Sequence, residues 1–168
     1  GAQADATLVE LCGDAGQADY LFAVARERFG RRGQFASLQS AYDNARQASP
    51  GGAAVEDYRR YTGLLAGQPV DPAETSAALA GNPVDLDHRM THALALLQAG
   101  RPEEAWSVFD DFTVFYDELR PGHQAVMSAI VAAKGDPDLA VRAARTIDIN
   151  RLTPGEYLLI GRLRTDAQ

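Results

Sequence analysis

The feature that most constrains the fold is a glycine that recurs at nearly constant intervals between segments with an apolar stripe. The four glycines are Gly33, Gly67, Gly100 and Gly135, with spacings of 34, 33 and 35 residues. Glycine adopts the left-handed backbone conformation that ends a helix without steric cost, so each glycine is expected to mark a turn between two helices. A helix-turn-helix unit at this interval predicts a stack of antiparallel helical hairpins.

The stretch around Gly100 shows this pattern most clearly. Before the glycine, Ala93, Leu96 and Leu97 recur at the spacing of one helix face. After it, Pro102 stands in the first turn of a helix, where its missing N–H costs no hydrogen bond. The second helix is predicted to reach Leu119, with an apolar stripe formed by Ala105, Trp106, Val108, Phe109, Phe112 and Phe115. Ala105 is predicted to be buried where the two helices cross, since close helices leave no room for a long side chain.

The whole chain predicts an all-α protein with about ten helices. It has 168 residues, 46% of them hydrophobic, and no segment alternates between apolar and polar residues as a half-buried strand does. The predicted organisation is an N-terminal capping segment at 1–16 and a single helical-repeat domain at 17–165. The repeat units are predicted at about 17–50, 51–83, 84–120 and 121–152, followed by a C-terminal capping helix.

Charge and composition exclude several classes of partner. With 23 acidic against 16 basic residues, the net charge of -7 disfavours nucleic acid. No apolar run approaches the roughly 20 residues that span a bilayer, so no membrane insertion is expected. Gly1 and the low-complexity segment after it resemble the start of a processed chain. Export to the periplasm with the signal removed is therefore favoured slightly over a cytoplasmic location.

The side chains that carry catalysis or bind metal ions form no recognisable motif. His88 and His92 share a helix face, but Arg89 stands where a zinc-protease helix has its glutamate, and no third ligand is evident. Cys12 is the single cysteine and has no partner histidine at a motif spacing. Adjacent acids such as Asp110 and Asp111 point about 100° apart on a helix. We expect no enzyme activity, no metal site and no cofactor.

The repeat resembles the tetratricopeptide-repeat family. In the third unit, Leu96, Gly100, Ala105 and Phe109 fall on the family's positions for a large residue, the turn glycine, a small alanine and an aromatic residue. The partial matches in the other units are Val131, Gly135 and Ala140 in the fourth, and Phe22, Phe29, Gly33, Tyr42, Ala45 and Pro50 in the first. The chain departs from the family in lacking its early tryptophan, and Leu38 and Ala144 replace the expected alanine and aromatic residue. The resemblance implies an α-α superhelix.

The family binds protein segments on its concave side, which the first helix of each hairpin lines. Carried over residue by residue, this implies a peptide-binding surface of Tyr20, Glu27, Asp57, Tyr61, Asp87, Met90 and Leu94. A partner segment with basic and apolar residues suits these side chains. The same positions are equally consistent with residues that only cover the inner face of a stack. In that case a partner would bind the convex side or the loops.

The predicted function is therefore a non-catalytic scaffold that binds a protein or peptide. The alternative is the helical domain or subunit of a larger enzyme, regulator or assembly whose active part lies outside this chain. A small-molecule sensor is a third possibility, which requires an apolar pocket between helices.

Overall fold

The computed structural model describes residues 1–165 and contains helices and turns but no strand over that range. The ten α-helices of this range are α1 (Ala2–Leu11), α2 (Ala18–Arg32), α3 (Phe35–Ala48), α4 (Ala53–Leu65), α5 (Pro72–Gly81), α6 (Leu86–Gln98), α7 (Pro102–Ser107), α8 (Pro121–Ala133), α9 (Pro137–Arg145) and α10 (Pro154–Thr165). Short 3₁₀ turns lie at Tyr116–Glu118 and Ile149–Arg151. The predicted all-α class and helix count are confirmed over the described residues. None of these helices is long and apolar enough to span a bilayer.

The four recurring glycines end four helices in the same way. Their φ angles are 68°, 80°, 76° and 101°, and no other residue in 1–165 has a positive φ. In each turn the N–H after the glycine donates to the carbonyl five residues earlier, from Gln34 to Phe29, Gln68 to Gly63, Arg101 to Leu96 and Asp136 to Val131. This is the Schellman motif, which satisfies the free carbonyls of a helix end. The helix ends predicted at these glycines are confirmed.

The chain forms two compact units, Gly1–Arg59 and Arg60–Gln168, divided inside α4. In unit 1, α1 packs against α2 and α3, and α2 packs against α3. Its core contains Cys12, Phe22, Ala25, Phe29, Leu38, Ala41, Ala45 and Val55. The carboxylate of Asp19 accepts hydrogen bonds from the backbone N–H groups of Ala54 and Val55 and so fixes the first turn of α4.

In unit 2, helices that are neighbours in sequence pack together: α5 on α6, α6 on α7, and α8 on α9. Helix α10 packs against both α8 and α9. The main core cluster includes Leu64, Met90, Leu94, Ala105, Val126 and Ile130. Ala105 has no exposed surface, which confirms its predicted burial.

Helix α7 ends at Ser107, so the prediction that it reaches Leu119 is wrong. The guanidinium of Arg89 on α6 donates to the carbonyl of Val108 at 2.6 Å and to the carboxylate of Asp111 at 2.8 Å. These bonds hold the segment after α7 against α6 in a non-helical conformation. Asp110, Asp111, Thr113 and Val114 also favour helices weakly. Phe115, predicted on the apolar stripe, is 62% exposed.

Candidate functional site

In unit 1 the predicted peptide-binding residues occupy different environments. Tyr20 is 70% exposed, and Glu27 lies near the surface in an ion pair with Arg31. Asp57 is buried and accepts a hydrogen bond from Arg26 at 2.6 Å. Tyr20 and Glu27 are therefore accessible to a partner, whereas Asp57 contributes to a buried ion pair.

In unit 2 the predicted residues are Tyr61, Asp87, Met90 and Leu94, which we call the first-helix face. Met90 and Leu94 have no exposed surface, and Tyr61 is 4% exposed. The carboxylate of Asp87 pairs with Arg120 and lies 3.1 Å from Nε2 of His123. These side chains lie in the core or in buried polar contacts rather than on an open surface. The peptide-binding role of all seven residues remains a prediction.

Helix α10 covers part of the first-helix face. The carboxylate of Glu156 accepts a hydrogen bond from the hydroxyl of Tyr61 at 2.6 Å. A Cβ on Gly155 would lie 2.9 Å from Cβ of Leu65, so α10 approaches the end of α4 closely. Leu159 packs against the core cluster that contains Met90 and Leu94. Helix α10 therefore contributes to the burial of the first-helix face.

The local sequence predicts where α10 begins but not which helices it packs against. Thr153 and Glu156 form a capping box: Glu156 accepts from the Thr153 N–H at 2.9 Å, and the Thr153 hydroxyl accepts from the Glu156 N–H at 3.2 Å. A Cβ on Gly122 would lie only 1.8 Å from Oε2 of Glu156, so any side chain there would displace this carboxylate. The hydrogen bond between Tyr61 and Glu156 joins residues that are 95 positions apart, so no local sequence pattern predicts it.

We expect Tyr61→Phe to lower the free energy of unfolding by about 1–3 kcal/mol, because it leaves an oxygen of the buried Glu156 without this donor. Urea denaturation would measure the change. Tyr157→Phe is the control, since Tyr157 lies on the same helix as Glu156 and is 41% exposed. A loss for Tyr61→Phe no larger than that of the control would contradict the role of this bond.

An open groove lies between α5, α6 and α7, and we call it the α5–α7 groove. Its volume is about 700 Å³. Its apolar surface comes from Leu79, Ala80, Leu96 and Val108, and its charged side chains are Asp71, Arg89, Arg101, Glu104 and Asp111. Arg89 is fixed by hydrogen bonds to two carbonyls, those of Pro83 and Val108, and to Asp111. The groove therefore combines a buried, hydrogen-bonded arginine with apolar side chains and exposed charged groups.

His92 also lines the α5–α7 groove. Burial lowers its pKa, with a further contribution from the positive charge of Arg101, so the ring is neutral at neutral pH. Its Nδ1 shares a hydrogen bond with Thr75 Oγ1 at 2.8 Å. His88, the other member of the predicted pair, is buried with its Nδ1 3.2 Å from the Asp85 carboxylate. Each histidine has its own polar partner.

Over residues 1–165 no group of three or more histidine, cysteine or acidic side chains is placed to hold a metal ion. Burial raises the pKa of the Cys12 thiol to about 11, so this cysteine is a neutral core side chain at neutral pH rather than a thiolate nucleophile.

Comparison of the chain with protein-family models, with curated proteins and with solved structures found no match.

Proposed function

We propose that the chain is a non-catalytic helical-repeat module that binds a segment of a partner protein. The observation that carries the proposal is the set of four equivalent Schellman turns at spacings of 34, 33 and 35 residues. A helical hairpin repeated at this interval is the unit of the tetratricopeptide family. Stacking of the hairpins into an α-α superhelix of that type is part of the proposal.

The proposed binding surface is the α5–α7 groove. The first-helix face of unit 2 is covered by the contacts of Glu156 and Leu159, whereas the groove is open and has an apolar floor. Extended and helical segments bind such surfaces by inserting apolar side chains between helices.

The charges of the groove favour a partner segment that carries basic and apolar residues. The lining carries three acidic side chains, the exposed Asp71, Glu104 and Asp111, against two arginines, a charge of -1. Two of these acids are in ion pairs, and Arg101 pairs with Glu104 at 2.5 Å. Arg89 is also paired, with Asp111. Complementary charges accelerate association and fix the register of a bound segment more than they add affinity. The chain's net charge of -7 acts in the same direction.

Selection of random peptides by display on the immobilised full chain, followed by titration of the selected peptides, tests this proposal. We expect the selected peptides to carry basic and apolar residues and to bind with micromolar dissociation constants. Ala80→Arg places a long cation in the groove, so we expect it to lower their affinity by at least about tenfold. Ala77→Arg is the matched control, because Ala77 is also exposed on α5 but does not line the groove. A selection that yields no saturable binder, or binders unaffected by Ala80→Arg, would overturn the proposal.

A further inference from the structure

A second cavity in unit 2 has a different character from the α5–α7 groove. It lies between the segment after α7 and helices α8 and α9, and its volume is about 580 Å³. Its walls are mainly aromatic and aliphatic, formed by Trp106, Phe109, Phe112, Val131 and Leu139. We call it the apolar cavity. Its size falls within the range of small-molecule sites in proteins.

The apolar cavity lies where the chain departs from its helical pattern. Phe109, Phe112 and Val114 follow the end of α7, and all three line the cavity. The bonds from Arg89 to Val108 and Asp111 hold this segment in place. The apolar spacing of this segment predicted a helix that the structure does not form, and such a disagreement is expected at functional or strained sites.

Most polar groups inside the apolar cavity are already satisfied. The hydroxyl of Tyr116 lies 3.2 Å from Ser128 Oγ and donates to the carbonyl of Ala143 at 3.0 Å. The Thr146 hydroxyl donates to the same carbonyl at 2.8 Å. Burial raises the pKa of Tyr116, so its hydroxyl stays protonated at neutral pH. These groups shape the wall and leave recognition of a charged ligand to the rim.

The rim of the apolar cavity carries Arg142 and Asp117, both exposed. The ammonium of Lys134 lies 4.9 Å from the ring centroid of Trp106 and pairs with the carboxylate of Glu103 at 3.5 Å, so it adds no net charge beside the cavity. A guanidinium binds a carboxylate in a planar, two-pronged geometry and is weakly hydrated, so it suits the edge of an apolar site. Among the residues that line the cavity, Arg142 is the cation that an anionic ligand would meet, and Asp117 is the anion that an ammonium ligand would meet.

We propose that the apolar cavity binds a small amphipathic carboxylate, with its apolar body between the aromatic side chains and its carboxylate on Arg142. Apolar contact with Trp106, Phe109 and Phe112 supplies most of the affinity. Arg142 selects the anion over a neutral or cationic compound of the same length. This site is separate from the α5–α7 groove and does not depend on peptide binding there.

Trp106 is the only tryptophan of the chain and lines the cavity, so its fluorescence reports occupancy. The full chain is titrated with decanoate, 1-decanol and decylammonium, each below its aggregation limit. We expect saturable binding of decanoate, weaker binding of decanol and the weakest binding of decylammonium. Octanoate should bind about fourfold more weakly for each methylene removed.

Two variants and one control separate the effect of the Arg142 charge from the effect of the cavity volume. Arg142→Gln should weaken decanoate binding by about tenfold or more and change decanol binding less than about twofold. Arg162→Gln, at an exposed arginine of α10 that does not line the cavity, should change neither. Ala143→Leu narrows the cavity without changing charge and should weaken both ligands, with circular dichroism to verify folding. Absence of saturable binding, equal losses for decanoate and decanol in Arg142→Gln, or tightest binding of decylammonium would each overturn the proposal.

Discussion

Replacement of Arg26 by methionine is expected to lower the free energy of unfolding of unit 1 by about 3–5 kcal/mol, the usual cost of removing one partner of a buried ion pair. The guanidinium of Arg26 donates to Asp57 at 2.6 Å, and the two side chains are 3% and 2% exposed. The guanidinium carbon also lies 5.1 Å from the ring centroid of Tyr58. Methionine keeps the apolar stem but leaves the buried carboxylate without this cation.

Amide hydrogen exchange of α2 and α3, together with urea denaturation, would measure the loss in unit 1. The double variant Arg26→Met/Asp57→Leu should recover at least half of it, because a buried pair replaced as a whole by apolar groups is often nearly neutral. Arg31→Met is the matched control on the same helix. Its ion pair with Glu27 is about half exposed on both sides and contributes little. If Arg26→Met loses no more unfolding free energy than Arg31→Met does, the buried ion pair has no structural role.

This ion pair is the contact that a repeat pattern cannot detect when it assigns Asp57 to a binding surface. The pattern gives the position of Asp57 within its hairpin, but its partner Arg26 lies 31 residues earlier, on another helix. Whether an acid at such a position faces a solvent-filled groove or a buried cation depends on that long-range contact. Because Asp57 and Tyr61 are both buried and hydrogen-bonded, replacing them together is expected to lower stability as well as to alter any binding surface.

The helix ends were predictable because their cause is local. Gly100 needs only its own missing Cβ and the carbonyls of the preceding turn to adopt a φ of 76° and close the Schellman motif. The end of α7 was not predictable in the same way. An apolar spacing from Ala105 to Phe115 fits a helix, but the hydrogen bonds from Arg89, about 20 residues earlier in the chain, hold part of that segment in another conformation.

The two candidate sites show the same limit. Trp106, Phe109 and Phe112 were predicted on the apolar stripe of one helix, and only the three-dimensional packing leaves a cavity among them. The first-helix face was expected to be available, yet Glu156 reaches Tyr61 from the far end of the chain. Sequence reasoning therefore found side chains of functional type but not whether they line an open surface.

Substitution of arginine for Ala105 is expected to destabilise unit 2 by more than about 3 kcal/mol, combining overpacking with burial of an unpaired charge. Ala105 has no exposed surface and lies in the core cluster with Met90 and Leu94. Urea denaturation and the melting temperature would measure the loss, with Ala77→Arg as the control at an exposed alanine of α5.

The same substitution links stability to both proposed sites, because α7 contributes to each of them. Glu104 and Ser107 line the α5–α7 groove, and Trp106 lines the apolar cavity. If Ala105→Arg displaces this six-residue helix, peptide and decanoate binding should both weaken under conditions where unit 1 remains folded. Ala77→Arg should leave both activities intact. An unchanged melting temperature in Ala105→Arg would contradict the packing of α7 against α6 and α8, and with it the walls on which both proposals depend.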